Sequence, residues 1–77
     1  MEYVYDVSGS SAIKQIRFEM IADHMGILTV SFHEGREYSY GPVHVALYSC
    51  FISAKSKGQF YNNQVKGKRK RIDKIDE

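Results

Sequence analysis

The sequence predicts an α+β fold: a three-stranded antiparallel β-meander, to which residues 3–5 could add an N-terminal edge strand, packed by two C-terminal helices. Three observations indicate this class. A chain of 77 residues provides material for one domain. Apolar and polar residues alternate at positions 16–20 and 28–32, as in half-buried strands. Residues 43–54 are apolar on nearly all sides, as in a helix packed across a sheet.

The three predicted strands lie at residues 16–20, 28–32 and 36–40. In the first two, every second side chain is apolar, so one face of each strand is expected in the core. Residues 22–26 turn the chain between these strands, and residues 33–35 form the hairpin turn before the third. The apolar residues of the first two strands are Ile16, Phe18, Met20, Leu28, Val30 and Phe32.

The length of the hairpin loop decides which face of the sheet carries Tyr38 and Tyr40. A two-residue loop, Glu34-Gly35, would place both tyrosines on the polar face, where they could stack on bases. A three-residue loop that includes His33 would place them on the apolar face. The shorter loop requires positive φ at glutamate, whereas the longer one requires it only at Gly35, a difference of about 1 kcal/mol. We therefore expect both rings to pack against the helices.

Pro42 is predicted to start the first helix, because proline suits the first helical position, where its missing N–H is not needed. This helix would span residues 43–54. Cys50 lies within its apolar run and is expected to be buried as a small hydrophobic residue. The run is too short and too rich in serine to span a bilayer.

A second, short helix is predicted at about residues 57–65. Ser56 and Gln59 have the spacing of a capping box, in which a serine hydroxyl accepts from the backbone N–H three residues later. Phe60 would face the core. Gly67 would end the helix as a C-terminal cap.

The charge of the chain is strongly asymmetric, although its formal net charge is only +2. Residues 1–54 carry three basic and six acidic side chains, whereas residues 55–71 carry seven basic ones and no acidic one. The basic C-terminal third favours a negatively charged partner. These patterns divide the chain into an N-terminal segment (1–9), a single domain (10–67) and a charged C-terminal tail (68–77).

The sequence contains no recognisable pattern of catalytic or metal-binding residues. His24, His33, His44 and Cys50 lack the paired spacing of metal sites. The serine-rich stretch at residues 7–11 is neither a nucleophile elbow nor a phosphate loop. We therefore expect a protein that is not an enzyme, with no metal and no cofactor. One cysteine, with no signal-peptide pattern and no membrane span, predicts a cytoplasmic protein that does not bind a membrane.

Two short motifs occur in a defined order: a Tyr-x-Tyr pair at Tyr38 and Tyr40, and a Ser-Lys-Gly-x-Phe run that ends at Phe60. In order and spacing they resemble the KTSC domain, a family named for its occurrence at the C-terminus of some lysyl-tRNA synthetases. The resemblance covers about residues 10–68. It implies a small α+β domain and, through the synthetase association, RNA binding. The chain departs from the family's pattern in the GPV turn and in its last residues, RKRIDKIDE.

The basic third contains the candidate binding residues. An N-cap at Ser56 would leave backbone N–H groups at the helix start to bind a phosphate, beside Lys57. The following basic run could track a nucleic-acid backbone, with Tyr61 as the aromatic contact. An ordinary capped helix and a solubilising tail are the alternatives. The predicted phosphate- and nucleic-acid-binding residues are Ser56, Lys57, Gly58, Tyr61, Lys66, Lys68, Arg69, Lys70 and Arg71, and the predicted structural residues are Tyr38, Tyr40 and Phe60.

The sequence thus predicts a small binding module whose partner is RNA or another phosphate-bearing ligand. RNA fits better than the major groove of DNA, because no predicted helix combines a basic face with base-reading side chains. Two alternatives stay open. One is a protein-interaction module, such as a phage-type inhibitor of a host enzyme, and the other is a protein that sequesters a small nucleotide. No pattern predicts the oligomeric state.

Overall fold

The chain folds as four strands followed by three helical segments, of which the last two are contiguous. The computed structural model describes residues 1–72, and the predicted tail residues 73–77 lie outside that range. All neighbouring strands are antiparallel, in the order β1-β2-β3-β4, so the predicted α+β class is confirmed and the N-terminal edge strand is present. The elements are β1 (Glu2–Asp6), β2 (Ile13–Ala22), β3 (Met25–Phe32), β4 (Glu37–His44), α1 (Val45–Ser53), α2 (Lys57–Phe60) and a π-helical segment (Tyr61–Val65).

The hairpin between β3 and β4 has the predicted three-residue loop. The N–H of Phe32 donates to the carbonyl of Arg36 at 2.9 Å, which closes the loop. Gly35 has φ +105°, a value that glycine adopts without strain. The resulting register pairs Val30 with Tyr38 and Leu28 with Tyr40. Both tyrosines therefore share a face with the core, as predicted.

The core lies between the sheet and the helical segments. The apolar positions of β2 and β3 predicted from alternation supply its centre: Ile16, Phe18, Leu28 and Val30 are fully buried. Phe51 of α1 is fully buried against them. Each such side chain contributes about 1.5–3 kcal/mol through burial, which makes this cluster the main source of stability in so short a chain.

The prediction that Pro42 starts the first helix is wrong. β4 continues through Pro42 to His44, and α1 begins only at Val45. Pro42 lies where the pairing of β3 and β4 shifts register, an irregularity at which a residue without an N–H disrupts no regular ladder bond. His44 caps the helix instead, because its Nδ1 accepts from the N–H of Ala46 at 3.0 Å.

Cys50 is exposed, so the prediction that it is buried is also wrong. The buried residues of α1 are Leu47, Tyr48 and Phe51, which lie on one side of the helix. Only that side meets the sheet, and the apolar character of the remaining residues does not reflect a second packed layer.

The second helix begins and ends close to the predicted residues. The hydroxyl of Ser56 accepts from the N–H of Gln59 at 3.2 Å, which is the predicted cap. After Phe60 the backbone widens into the π-helical segment, which buries Tyr61 and Val65. Gly67 follows with φ +81°, where the chain turns away from the helix axis.

Residues 70–72 return to the sheet and pair with β4. The N–H of Gly41 donates to the carbonyl of Lys70 at 3.0 Å, and the N–H of Ile72 donates to the carbonyl of Ser39 at 2.9 Å. Part of the predicted tail is thus attached to the sheet edge. Within residues 1–72, no helix has the length and apolar character needed to cross a membrane.

Candidate functional site

A pocket with a volume of about 320 Å³ lies where the β3–β4 hairpin, the π-helical segment and the returning chain meet. It brings the Tyr-x-Tyr motif into one site with part of the basic third. One wall is aromatic and is formed by Phe32, Tyr38, Tyr40 and Tyr61. The rim carries three cationic side chains, from Arg36, Lys66 and Arg71, and one carboxylate, from Glu34. We call this space the aromatic pocket.

The aromatic wall is held by contacts among its own side chains. The hydroxyls of Tyr40 and Tyr61 are 2.6 Å apart and share a hydrogen bond. Phe32 packs edge-on against Tyr61 and Tyr38, with ring centroids 5.2 and 5.7 Å apart. Such edge-to-face pairs add about 0.5–1.5 kcal/mol beyond area burial. The wall is therefore already ordered without a ligand.

Tyr61 does not lie where the prediction of an aromatic base contact requires. Only 6% of its surface is exposed, because Tyr61 and Val65, four residues apart, share the core-facing side of the helical segment. Its ring face cannot stack on a base in this position, although the residue does line the pocket. A planar group that is exposed at the rim is the Arg71 guanidinium, which lies over the Tyr38 ring at 4.4 Å.

Arg36 is fixed at the rim by two neighbours. Its NH1 group donates to the Tyr38 hydroxyl at 3.0 Å, and its Nε lies 3.1 Å from a carboxylate oxygen of Glu34. The hydrogen bond with Tyr38 and then the Glu34 carboxylate raise the pKa of Arg36 above its ordinary value. Among residues 1–72, the charged groups at the rim are three cations and one carboxylate, an arrangement that suits an anionic ligand.

A second pocket of about 270 Å³ adjoins the first. It lies between the serine-rich loop at residues 8–11 and the residues around the start of α2, and we call it the serine pocket. The predicted phosphate-binding residues Ser56, Lys57 and Gly58 line it. Two of them already have intramolecular partners. The Ser56 hydroxyl caps α2, and the Lys57 ammonium donates to the Ala54 carbonyl at 2.5 Å.

The rest of the predicted basic run is divided between different surfaces. Lys66 and Arg71 line the aromatic pocket, whereas Lys68 and Lys70 are exposed and line neither pocket. Arg69 donates from Nε to the Gln64 carbonyl at 3.2 Å and lines a separate groove beside α1. The run therefore does not form one continuous phosphate track.

Sequence reasoning missed Arg36 and the serine loop as parts of the site. The sequence contained a signal for Arg36, because residues two apart on a strand share a face and Arg36 precedes Tyr38 by two. No local signal exists for the serine loop, which reaches the start of α2 only through the tertiary fold. In the described residues no three histidine, cysteine or acidic side chains come together in a way that could hold a metal ion.

Several polar side chains on the sheet face opposite the helices are paired with one another. The hydroxyls of Thr29 and Ser39 are hydrogen-bonded at 2.8 Å. The Glu37 carboxylate accepts from Ser31 at 2.7 Å and pairs with Arg17 at 3.1 Å. This face is one of the surfaces that a protein-interaction module would use. Besides these pairs, it leaves the buried Nε of Arg17 without a hydrogen-bond partner among the described residues.

Comparison with known proteins identifies what the chain is similar to. The family model described as KTSC domain matches residues 9–68. The crystal structure of a KTSC domain protein from Yersinia pestis superimposes with a TM-score of 0.79 at 33% sequence identity, over 99% of this chain and 100% of that one. Among curated proteins, none matches the sequence.

Proposed function

The chain belongs to the KTSC domain family, and we propose that it is a non-enzymatic module that binds single-stranded RNA at the aromatic pocket. The observation that carries the proposal is the convergence of Arg36, Lys66 and Arg71 on the rim of one pocket with an aromatic wall. Arg36 comes from the β3–β4 hairpin, whereas Lys66 and Arg71 come from the basic third, and the fold assembles them around the tyrosine pair.

The chemistry of the pocket matches that of a nucleotide. Guanidinium groups bind phosphate through paired N–H donors, and Arg36 is positioned by Tyr38 and Glu34 before any ligand arrives. The Arg71 guanidinium, stacked on Tyr38, offers a planar surface on which an unpaired base can stack. The Tyr38 hydroxyl accepts from Arg36 and keeps its own O–H to donate to a base edge or ribose.

The three cations set the expected salt dependence. For single strands, each neutralised phosphate contributes a slope of about −0.7 in log K against log salt concentration. Three contacts give a slope of about −2, so affinity should fall about 20-fold between 50 and 200 mM salt. Binding of a 5′-labelled 12-nucleotide RNA, followed by fluorescence anisotropy at both salt concentrations, measures this slope.

Single substitutions then assign the contacts. Arg36→Gln, Lys66→Gln and Arg71→Gln should each weaken binding and lower the magnitude of the slope by about 0.7. Lys68→Gln is the matched control, because it removes the same charge from an exposed position that lines neither pocket. Absence of RNA binding by the intact protein contradicts the proposal, as does an equal loss in Lys68→Gln. Recovery of one stoichiometric protein partner from nuclease-treated lysate would favour the protein-interaction alternative instead.

We also propose a cytoplasmic location, which has separate support. Cys50 is a free thiol on the surface, a state that a reducing compartment preserves.

A further inference from the structure

The aromatic pocket and the serine pocket meet along a short shared wall. Ala12 and Gly58 line both of them. Each pocket has a volume near 300 Å³, roughly the lower limit of small-molecule sites, so each accommodates one group of about nucleotide size. A longer ligand that fills one pocket can continue into the other only past these two residues.

Gly58 leaves this passage open. A Cβ built at position 58 meets no atom within 4 Å, so the space beside it is unoccupied by the protein. Its backbone is not in the left-handed region, and the conformation of α2 therefore does not require glycine there. What glycine provides at this position is room beside the backbone.

The two pockets differ in chemistry in the way that two parts of a nucleotide chain differ. The aromatic pocket offers ring edges, a stacked guanidinium and three cations. The serine pocket offers the hydroxyls of Ser8 and Ser11 and the side chain of Lys55, which suit ribose hydroxyls and a phosphate.

From this continuity we propose that the two pockets form one track for at least two consecutive nucleotides of single-stranded RNA. The aromatic pocket takes one base, the linking phosphate passes over Gly58, and the serine pocket takes the adjoining sugar and phosphate. The inference rests on the proposed function and specifies its ligand: a mononucleotide fills only half of the track.

The test uses the full chain and a series of ligands: UMP, the dinucleotide pUpU and an octamer of uridine. Affinity is expected to rise at least tenfold from UMP to pUpU. Gly58→Leu, which places a side chain in the open passage, should weaken octamer binding at least tenfold and should abolish the gain in affinity from UMP to pUpU. Gln59→Leu introduces the same side chain one position along α2, away from both pockets, and should bind the octamer as the wild type does.

The outcomes separate this inference from the proposed function. If no RNA binds the wild type, the proposed function fails. If RNA binds and Lys66→Gln weakens it, but pUpU binds no better than UMP or Gly58→Leu binds the octamer unchanged, the track alone is overturned. Melting curves of both leucine variants verify that they are folded, and the length series tests the track without any substitution.

Discussion

Replacing Gly58 by alanine should stabilise the protein, whereas the same replacement at Gly67 should destabilise it. Neither position has an atom within 4 Å of an added Cβ, so packing does not distinguish them. Gly58 lies in α2, where alanine is favoured over glycine by about 0.5–1 kcal/mol. Gly67 has φ +81°, a conformation that costs a residue with a Cβ about 1 kcal/mol.

The expected difference between the two variants is therefore about 1.5–2 kcal/mol in the free energy of unfolding. For a domain of this size 1 kcal/mol shifts the melting temperature by roughly 4–8 °C, so the two variants should melt about 6–16 °C apart, on either side of the wild type. Thermal unfolding followed by circular dichroism measures this separation, and urea unfolding provides an independent value.

A Gly58→Ala variant that melts below the wild type would refute the reasoning. It would mean that position 58 is crowded or that its backbone requires glycine, and the passage between the two pockets would lose its structural basis. A Gly67→Ala variant that melts with or above the wild type would show that the chain does not turn at Gly67 in the left-handed conformation.

Three further predictions follow from buried or exposed groups. Gly26→Ala should abolish folding, seen as loss of the cooperative melt, because the added Cβ would lie 2.1 Å from the Glu19 carbonyl oxygen. Burial, with a smaller effect of the neighbouring tyrosines, raises the pKa of Tyr48, so the folded state keeps the phenol proton more firmly than the unfolded state. The contribution of Tyr48 to the free energy of unfolding should be fully present below the unfolded-state pKa of 10.0 and should be lost as pH rises through the folded-state pKa. A melting temperature of Tyr48→Phe that falls as steeply above about pH 10 as that of the wild type would contradict this. Cys50 should react with a maleimide in the native protein within a few-fold of its rate in denaturant, and protection by folding would show that it is buried after all.

The parts of the fold that sequence reasoning predicted depend on short-range physics. Alternation placed Phe18 and Leu28 in the core because side chains in a strand change face at every residue. The position of Gly35 determined the loop length, and the loop length determined which face Tyr38 occupies. These rules act within a few residues, so a single sequence contains them.

The errors arose where the outcome depended on distant partners. Pro42 suits both a helix start and an irregular strand, and the register shift against β3 selects the strand. Cys50 belongs to an apolar run, but only one side of α1 has a sheet to pack against. Tyr61 was predicted to contact a base because it lies near the basic run, although its spacing from Val65 places it on the buried side.

The candidate site shows the same division. The basic third and the tyrosine pair were both recognised in the sequence, but as separate features. Their meeting in one pocket depends on the return of residues 70–72 to β4, which places Arg71 over Tyr38. A contact between positions more than thirty residues apart has no local sequence pattern, and the selection of Arg71 over Lys68 and Lys70 could not have been predicted.

The pairing of residues 70–72 with β4 also determines where the chain can be truncated without exposing a strand edge. The family match spans residues 9–68, so it contains neither β1 nor this returning segment. A fragment trimmed to the match would expose the free N–H of Gly41 and carbonyl of Ser39 on one side, and the unpaired edge of β2 on the other. Bare strand edges recruit further strands, so such a fragment is expected to assemble into oligomers and precipitate at concentrations where the longer chain stays dispersed.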